Sequence, residues 1–149
     1  MNYILFRSFE NNFDLVEIDN ISLKKNEEMK LRIRGNSLRL RLMQGEVERL
    51  KLEEQIEEKI NFPGGETLTY RLALADALYA NLSHHVLQVD IPRKEALEWI
   101  YSEELGLEEQ TLSANGEVLR ILIEKDLQCL TERVGEDDSD AYPNPNKEC

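Results

Sequence analysis

Lys30-Leu-Arg-Ile-Arg-Gly-Asn-Ser-Leu-Arg-Leu-Arg-Leu42 alternates charged and apolar residues on either side of a Gly-Asn-Ser turn signal. Alternation of period two belongs to a half-buried strand, and a turn signal inside it folds the run back on itself. The stretch therefore predicts an antiparallel hairpin. With Asn36-Ser37 as the two turn residues, Gly35 faces Leu38, Arg34 faces Arg39 and Arg32 faces Arg41. Arg32, Arg34, Arg39 and Arg41 then share one face, and Leu31, Ile33, Leu40 and Leu42 share the other. Like charges directly across a ladder repel. An anion must sit over the basic face, and the protein's own glutamates and a ligand are the two candidates.

That basic stretch is unusual in a chain of net charge −12. A strong negative balance disfavours non-specific contact with nucleic acid or acidic membrane, so any nucleic-acid role must act locally through the arginines. The 149 residues suffice for one core of ordinary size and not for two comfortable domains, and 41% hydrophobic content argues against a mostly disordered chain. No window is apolar for long enough to cross a bilayer, and the N-terminus lacks the basic start of an export signal. Cys129 and Cys149 form neither a disulfide framework nor a metal-type pair. A reduced, cytoplasmic setting is expected, with no cofactor.

Three regions follow along the chain. Residues 1–28 read as an N-terminal extension, with Met29 a candidate natural start; an added edge strand at 2–8 is the alternative. Residues 29–134 carry regular punctuation. Gln44–Leu52 reads as a short helix with Val47 and Leu50 inward. Ile56, Ile60 and Phe62 alternate in one strand, Pro63-Gly64-Gly65 turns the chain, and Leu68, Tyr70, Leu72 and Leu74 alternate in the next. Leu78–Leu82 and His85–Ile91 read as two strands around Ser83-His84, although Leu72–Leu82 is rich enough in Ala and Leu for helix. Pro92 opens a second helix with Leu97, Ile100 and Tyr101 as its buried stripe, Trp99 off that stripe, and Gly106 as its end. Asn115-Gly116 marks a hairpin leading into Val118–Ile123, apolar enough to be a central strand. Residues 135–149 turn to Gly, Asp, Ser, Pro and Asn and predict a flexible acidic tail.

These elements define an α+β single domain with a largely antiparallel sheet, two short helices and a disordered C-terminal tail. Its two halves share the order strand-strand-helix-strand-strand, so an internal duplication is possible, although their sequences do not visibly match.

The arginine face, with Asn36 and Ser37 at its turn, is the sharpest site candidate. Guanidinium groups on one surface recognise carboxylate or phosphate through paired hydrogen bonds. The structural alternative is an internal ladder with Glu46, Glu48, Glu53, Glu54, Glu57 and Glu58, which follow at once. His84 and His85 have no second ligand at helical or hairpin spacing and read as a surface turn. Asp137-Asp138-Ser139-Asp140 lacks the glycine and downstream glutamate of a calcium loop. Cys129 reads as a buried, inert thiol. No serine or cysteine stands with a histidine in a catalytic pattern, and the one Gly-Gly is a turn rather than a phosphate loop. No catalytic and no metal-binding residue is assigned.

Two resemblances bear on this reading. Lys30–Leu42, Leu68-Thr-Tyr70, Ile123-Glu-Lys-Asp126, Cys129-Leu130 and Gly135-Glu-Asp-Asp-Ser-Asp-Ala-Tyr-Pro-Asn-Pro145 resemble a family of short bacterial proteins of unknown function. That family begins near the position of Met29 and supplies no activity to carry over. Locally, Gly35-Asn36-Ser37-Leu38 followed by alternating Arg and Leu, a short helix and two strands resembles the swapped-hairpin DNA-binding unit of AbrB-type regulators and antitoxins. That likeness implies DNA contact through Arg34, Asn36, Ser37, Arg39 and Arg41 in an intertwined dimer. Leu42-Met43-Gln44 departs from it, lacking the family's proline after the second strand. Three functions are therefore expected in order: a non-enzymatic interaction or structural domain with an internally paired arginine face, partnered by protein or by itself; an AbrB-like DNA-binding regulator; a binder or hydrolase of a phosphorylated small molecule.

Overall fold

The computed structural model describes residues 3–7, 13–17, 28–128 and 139–145, the first two stretches as backbone only. Expectations on Cys129, Cys149 and residues 135–138 lie outside the described residues. Near the N-terminus, β1 (Tyr3–Arg7) and β2 (Phe13–Glu17) pair antiparallel as a two-stranded sheet of their own. The alternative edge strand at 2–8 thus forms, paired to a second strand rather than to the main sheets.

The remainder runs β3 (Lys30–Ile33), β4 (Ser37–Leu42), α1 (Gln44–Glu53), β5 (Gln55–Asn61), β6 (Thr67–Ala75), β7 (Tyr79–Ser83), β8 (Val86–Pro92), α2 (Arg93–Tyr101), β9 (Gly106–Leu112) and β10 (Val118–Lys125). It is an α+β single domain with two four-stranded, mostly antiparallel sheets, in the orders β3-β4-β10-β9 and β5-β6-β8-β7. Each sheet takes one hairpin from each half of the domain. In each, the two hairpins meet at a central parallel pair: β4 with β10, and β6 with β8.

The duplication expected from element order is therefore a duplication of hydrogen bonding. Arg120 N–H donates to Asn36 O at 3.1 Å, and Thr69 N–H to His85 O at 2.9 Å. Leu74 N–H donates to Glu54 O and Lys125 N–H to Leu105 O, both at 2.8 Å. The tight turns match as well. Gly65 N–H donates to Phe62 O and Gly116 N–H to Ser113 O, while Phe62 pairs with Glu66 and Ser113 with Glu117. Gly65 (φ +89°) and Gly116 (φ +83°) occupy the same left-handed position. Superposed in this way, Leu38 falls on Leu87, Glu57-Glu58 on Glu108-Glu109 and Glu66 on Glu117. These few identities are scattered, which is why no repeat stands out along the chain.

The inward faces of the two sheets close one core. Leu38, Leu40, Leu42, Ile121 and Ile123 come from one, and Ile56, Leu72, Leu74, Val89 and Ile91 from the other. Val47 and Leu50 of α1 join it as the sequence predicts. In α2, Leu97 and Ile100 pack against the core as expected, but the fully buried residues are Ala96 and Trp99, and Tyr101 is 73% exposed. Trp99, expected off the stripe, is its centre; α2 ends at Tyr101, and a linker of Ser102–Leu105 precedes Gly106, which opens β9 rather than ending the helix. The first hairpin also turns one step earlier than expected. Gly35 (φ +54°) and Asn36 make the turn, so Ile33 faces Leu38 and Arg32 faces Arg39. A register change of two keeps every side chain on its face. Asn115-Gly116 turns with Gly116 alone in the left-handed region, not as a two-residue turn.

Two predictions test this architecture. Gly65→Ala and Gly116→Ala should each lower unfolding stability by about 1 kcal/mol or more, and by similar amounts, in chemical denaturation, because each forces a Cβ into a left-handed turn. Tyr70 OH donates to Met29 O at 2.6 Å in the core. Burial, then the charges of Glu58 and Glu28, pushes this phenol up to about 12. A raised folded value means that the neutral form stabilises the fold below the ordinary tyrosine range and that this contribution fades as pH rises toward about 12. Tyr70→Phe should cost about 1 kcal/mol at neutral pH and flatten the loss of stability with alkaline pH.

Candidate functional site

Strand pairing sets the candidate site as a lattice on the solvent side of the first sheet. In β3, β4, β10 and β9 the side chains that alternate with the core stand in three rows. Arg34, Ser37, Arg120 and Gln110 form the first; Arg32, Arg39, Leu122 and Glu108 the second; Lys30, Arg41, Glu124 and Gly106 the third. Neighbouring strands lie about 4.8 Å apart, so flanking charges interact directly. The cations Lys30, Arg32, Arg34, Arg39, Arg41 and Arg120 thus share this face with two carboxylates, Glu108 and Glu124.

The structure answers part of the question of what compensates the arginines. Glu124 Oε2 lies 3.5 Å from Arg39 Nε and 3.4 Å from Arg41 Nε, so one carboxylate serves two guanidiniums. Lys30 Nζ lies 2.9 Å from Asp126 Oδ2 at the end of β10. Arg32, Arg34 and Arg120 are exposed and make no ion pair among the described residues. Of the expected internal partners, Glu48, Glu53, Glu54, Glu57 and Glu58 form no ion pair with the four arginines among the described residues: Glu57 pairs with Arg71 at 2.8 Å on the second sheet, Glu54 with Arg93, and Glu48 with Lys51. The Arg71 hydrogen bond, together with Lys59, holds the Glu57 carboxyl below its ordinary range.

The turn residues are engaged structurally. Asn36 Nδ2 donates to Val118 O at 2.9 Å, stitching the β3–β4 turn to β10, and Ser37 Oγ donates to Arg34 O. His84 and His85 form the exposed β7–β8 turn, both with left-handed φ (49° and 62°).

The equivalent lattice on the second sheet has a different character. Ser83, Val86, Thr69 and Lys59 form its first row, Asn81, Gln88, Arg71 and Glu57 its second, and Tyr79, Asp90, Ala73 and Gln55 its third. Lys59 and Arg71 face Glu57 and Asp90, so this face is balanced. Arg71 bridges Glu57 and Gln88, and Gln88 donates to Asp90. Basicity is a property of one of the two sheets only.

At the foot of the basic lattice the tail meets the body. Asp140 Oδ2 accepts from Gly45 N–H at 2.8 Å, and Asp140 O accepts from Gln44 N–H at 3.1 Å. Gln44 Nε2 donates to Ala141 O, Tyr142 N–H donates to Asp126 O at 2.7 Å, and Ala141 is buried. Glu46, itself buried, accepts from Met43 N–H at 2.9 Å. Two carboxylates therefore cap α1, where unpaired N–H groups and the helix dipole favour negative charge. Opposite them, Lys125 donates to the carbonyls of Trp99 and Ser102 at the end of α2, at 3.2 and 2.6 Å, and its ammonium lies over the Trp99 and Tyr142 rings. Burial lowers this amine's pKa. Thus 139–145, within the stretch read as a flexible acidic tail, includes a cap and a packed aromatic ring. Composition carries no trace of this docking, which depends on helix ends supplied by distant parts of the chain. Among the described residues no helix is long and apolar enough to cross a membrane, and no three His, Cys, Asp or Glu side chains gather as a metal site.

Residues 29–146 match the model of a family of unknown function (DUF7009), and the chain belongs to that family. Neither a curated protein nor a solved structure matches it. The family match takes in both halves of the domain and the docked segment together.

Sequence reading missed Arg120, Glu124, Asp126 and Asp140. Arg120 and Glu124 alternate with Ile121 and Ile123, so their face was legible, but their partner strand was not. Asp140→Ala should remove the cap on α1 and lower stability by about 1 kcal/mol, measured by thermal or urea unfolding.

Proposed function

We propose that this protein is a non-enzymatic interaction domain whose basic lattice binds an acidic segment of a partner protein. The observation that carries the reading is the shared carboxylate. Glu124 faces two arginines, and Arg32, Arg34 and Arg120 have no ion pair among the described residues. The second sheet repeats the strand pattern and balances its charges. Guanidinium groups on a rigid sheet suit carboxylates, which accept paired N–H donors. The remaining negative charge of the chain favours a short acidic segment over a long polyanion, which would run from the basic face onto acidic surface.

A second reading has one specific support. Each sheet joins hairpins from both halves of the chain, and intertwined hairpins are what the resemblance of residues 30–75 to the AbrB-type unit implies. Against it, the positions equivalent to Arg32, Arg34, Asn36, Ser37, Arg39 and Arg41 are Asn81, Ser83, His85, Val86, Gln88 and Asp90, so the basic set has no twofold mate.

Fluorescence anisotropy with a labelled oligoglutamate peptide and with duplex DNA separates the two. The interaction-domain reading expects saturable peptide binding at low salt, at least tenfold weaker in an Arg32→Gln/Arg34→Gln/Arg120→Gln variant, and tighter in Glu124→Gln, which frees two guanidiniums. Duplex DNA bound more tightly than the peptide, with a steep salt dependence lost in Arg39→Ala/Arg41→Ala, would replace it with the DNA-binding reading.

A further inference from the structure

Beside the foot of the basic lattice, the docked tail completes a half-open cavity of about 750 Å³ between the two helices. Its volume is that of small-molecule sites. Val47, Ile100, Leu105 and Leu127 line it with hydrocarbon, Tyr101 and Tyr142 with rings, and Pro143 and Pro145 close the tail side.

Three of the side-chain donors on its wall are engaged by the protein's own carbonyls. Lys125 Nζ is held by the Trp99 and Ser102 carbonyls, Gln44 Nε2 by Ala141 O, and Ser102 Oγ–H by Trp99 O. Its acceptors are not so engaged. Glu103 makes no ion pair or hydrogen bond among the described residues, and Glu48 has one partner, Lys51. The field follows the same sign: besides burial, Glu48 and Asp140 push the Tyr142 phenol up, and Glu103 and Glu104 act to hold the proton on Lys125. The rings already attract ammonium groups, with Lys51 Nζ 5.6 Å from the Tyr101 centroid and Lys125 Nζ 5.7 Å from that of Tyr142. Tyr101 is nonetheless 73% exposed, so much of its surface remains open to a ligand.

We infer that this cavity binds a small organic ammonium ion, an amine carrying an aryl or alkyl arm, with Glu103 and Glu48 meeting the charge and Tyr101 and Tyr142 the hydrocarbon. An anion of the same shape would face the Glu103 and Glu48 carboxylates, while the Lys125, Gln44 and Ser102 donors are committed to carbonyls. A neutral molecule would leave Glu103 without a counter-charge. No residue of the cavity wall contributes a guanidinium.

The test uses the full chain at low salt, followed by thermal unfolding and calorimetric titration. Phenethylamine and hexylamine are the probes, with hydrocinnamate and heptanoate as carboxylates of matching shape. The expected result is a saturable rise in Tm and one-site binding for the amines, with no shift from the carboxylates. Glu103→Gln/Glu48→Gln should weaken amine binding about fivefold or more, while Arg32→Gln/Arg34→Gln/Arg120→Gln, which tests the basic face, should leave it unchanged. Equal stabilisation by the carboxylates, amine binding undiminished in the double glutamine variant, or no saturable amine binding would each overturn the inference. None of these outcomes bears on peptide binding at the arginines.

Discussion

Each sheet of this domain is completed by a hairpin from the opposite half of the chain. The central pairs β4–β10 and β6–β8 are both parallel, and the first joins residues far apart in sequence, Ser37 with Arg120. Leu40 and Leu42 reach the core only when Ile121 and Ile123 lie beside them, and Leu72 and Leu74 only beside Val89 and Ile91. Neither half can bury its apolar face alone, so the domain must close as a unit. Its order therefore rests on long-range pairing rather than on local propensity.

That exchange also explains how two copies of one design acquired different surfaces. The core positions of the halves are constrained by common packing: Leu42 matches Ile91, Leu50 matches Trp99, and Leu72 matches Ile123, all of them buried. The outward positions carry no such constraint. One face became a balanced network around Arg71, with Glu57 on one side and Gln88 on the other. The other gathered guanidiniums in excess of its carboxylates. A sheet surface bears such an imbalance when water or an anionic partner screens it, and that asymmetry points toward recognition.

The helix ends are the second place where the halves part. α1 is capped by its own Glu46 and by Asp140 from the tail. In α2 the residue matching Met43 is Pro92, which has no N–H to offer Glu95. The last turn of α2 is instead closed by Lys125, whose counterpart Leu74 is plain core. Docking of the tail joins these features, since Tyr142 stacks on Lys125 while Asp140 holds α1. The cavity between the helices is a by-product of that closure.

Much of this could be read from residue order. Period-two alternation found β3, β4, β5 and β6, short apolar runs found β7, β8 and β10, and the arginines were placed on one face despite a turn centred one residue late, because a slip of two preserves sidedness. The partners of those arginines were not legible: the nearest glutamates in sequence seemed natural, yet Glu124 and Asp126 arrive from the other end of the domain. The stripe of α2 was misplaced for a related reason, since the end of a short helix is decided by what meets its last carbonyls. By itself the sequence determined which residues turn inward, where the chain reverses and that its charge is unevenly spread, all consequences of short-range geometry. Tertiary structure alone decided which hairpins share a sheet, which carboxylate answers which guanidinium and where Asp140 comes to rest, because these depend on groups that local geometry does not bring together, such as Arg41 with Glu124 and Gly45 with Asp140.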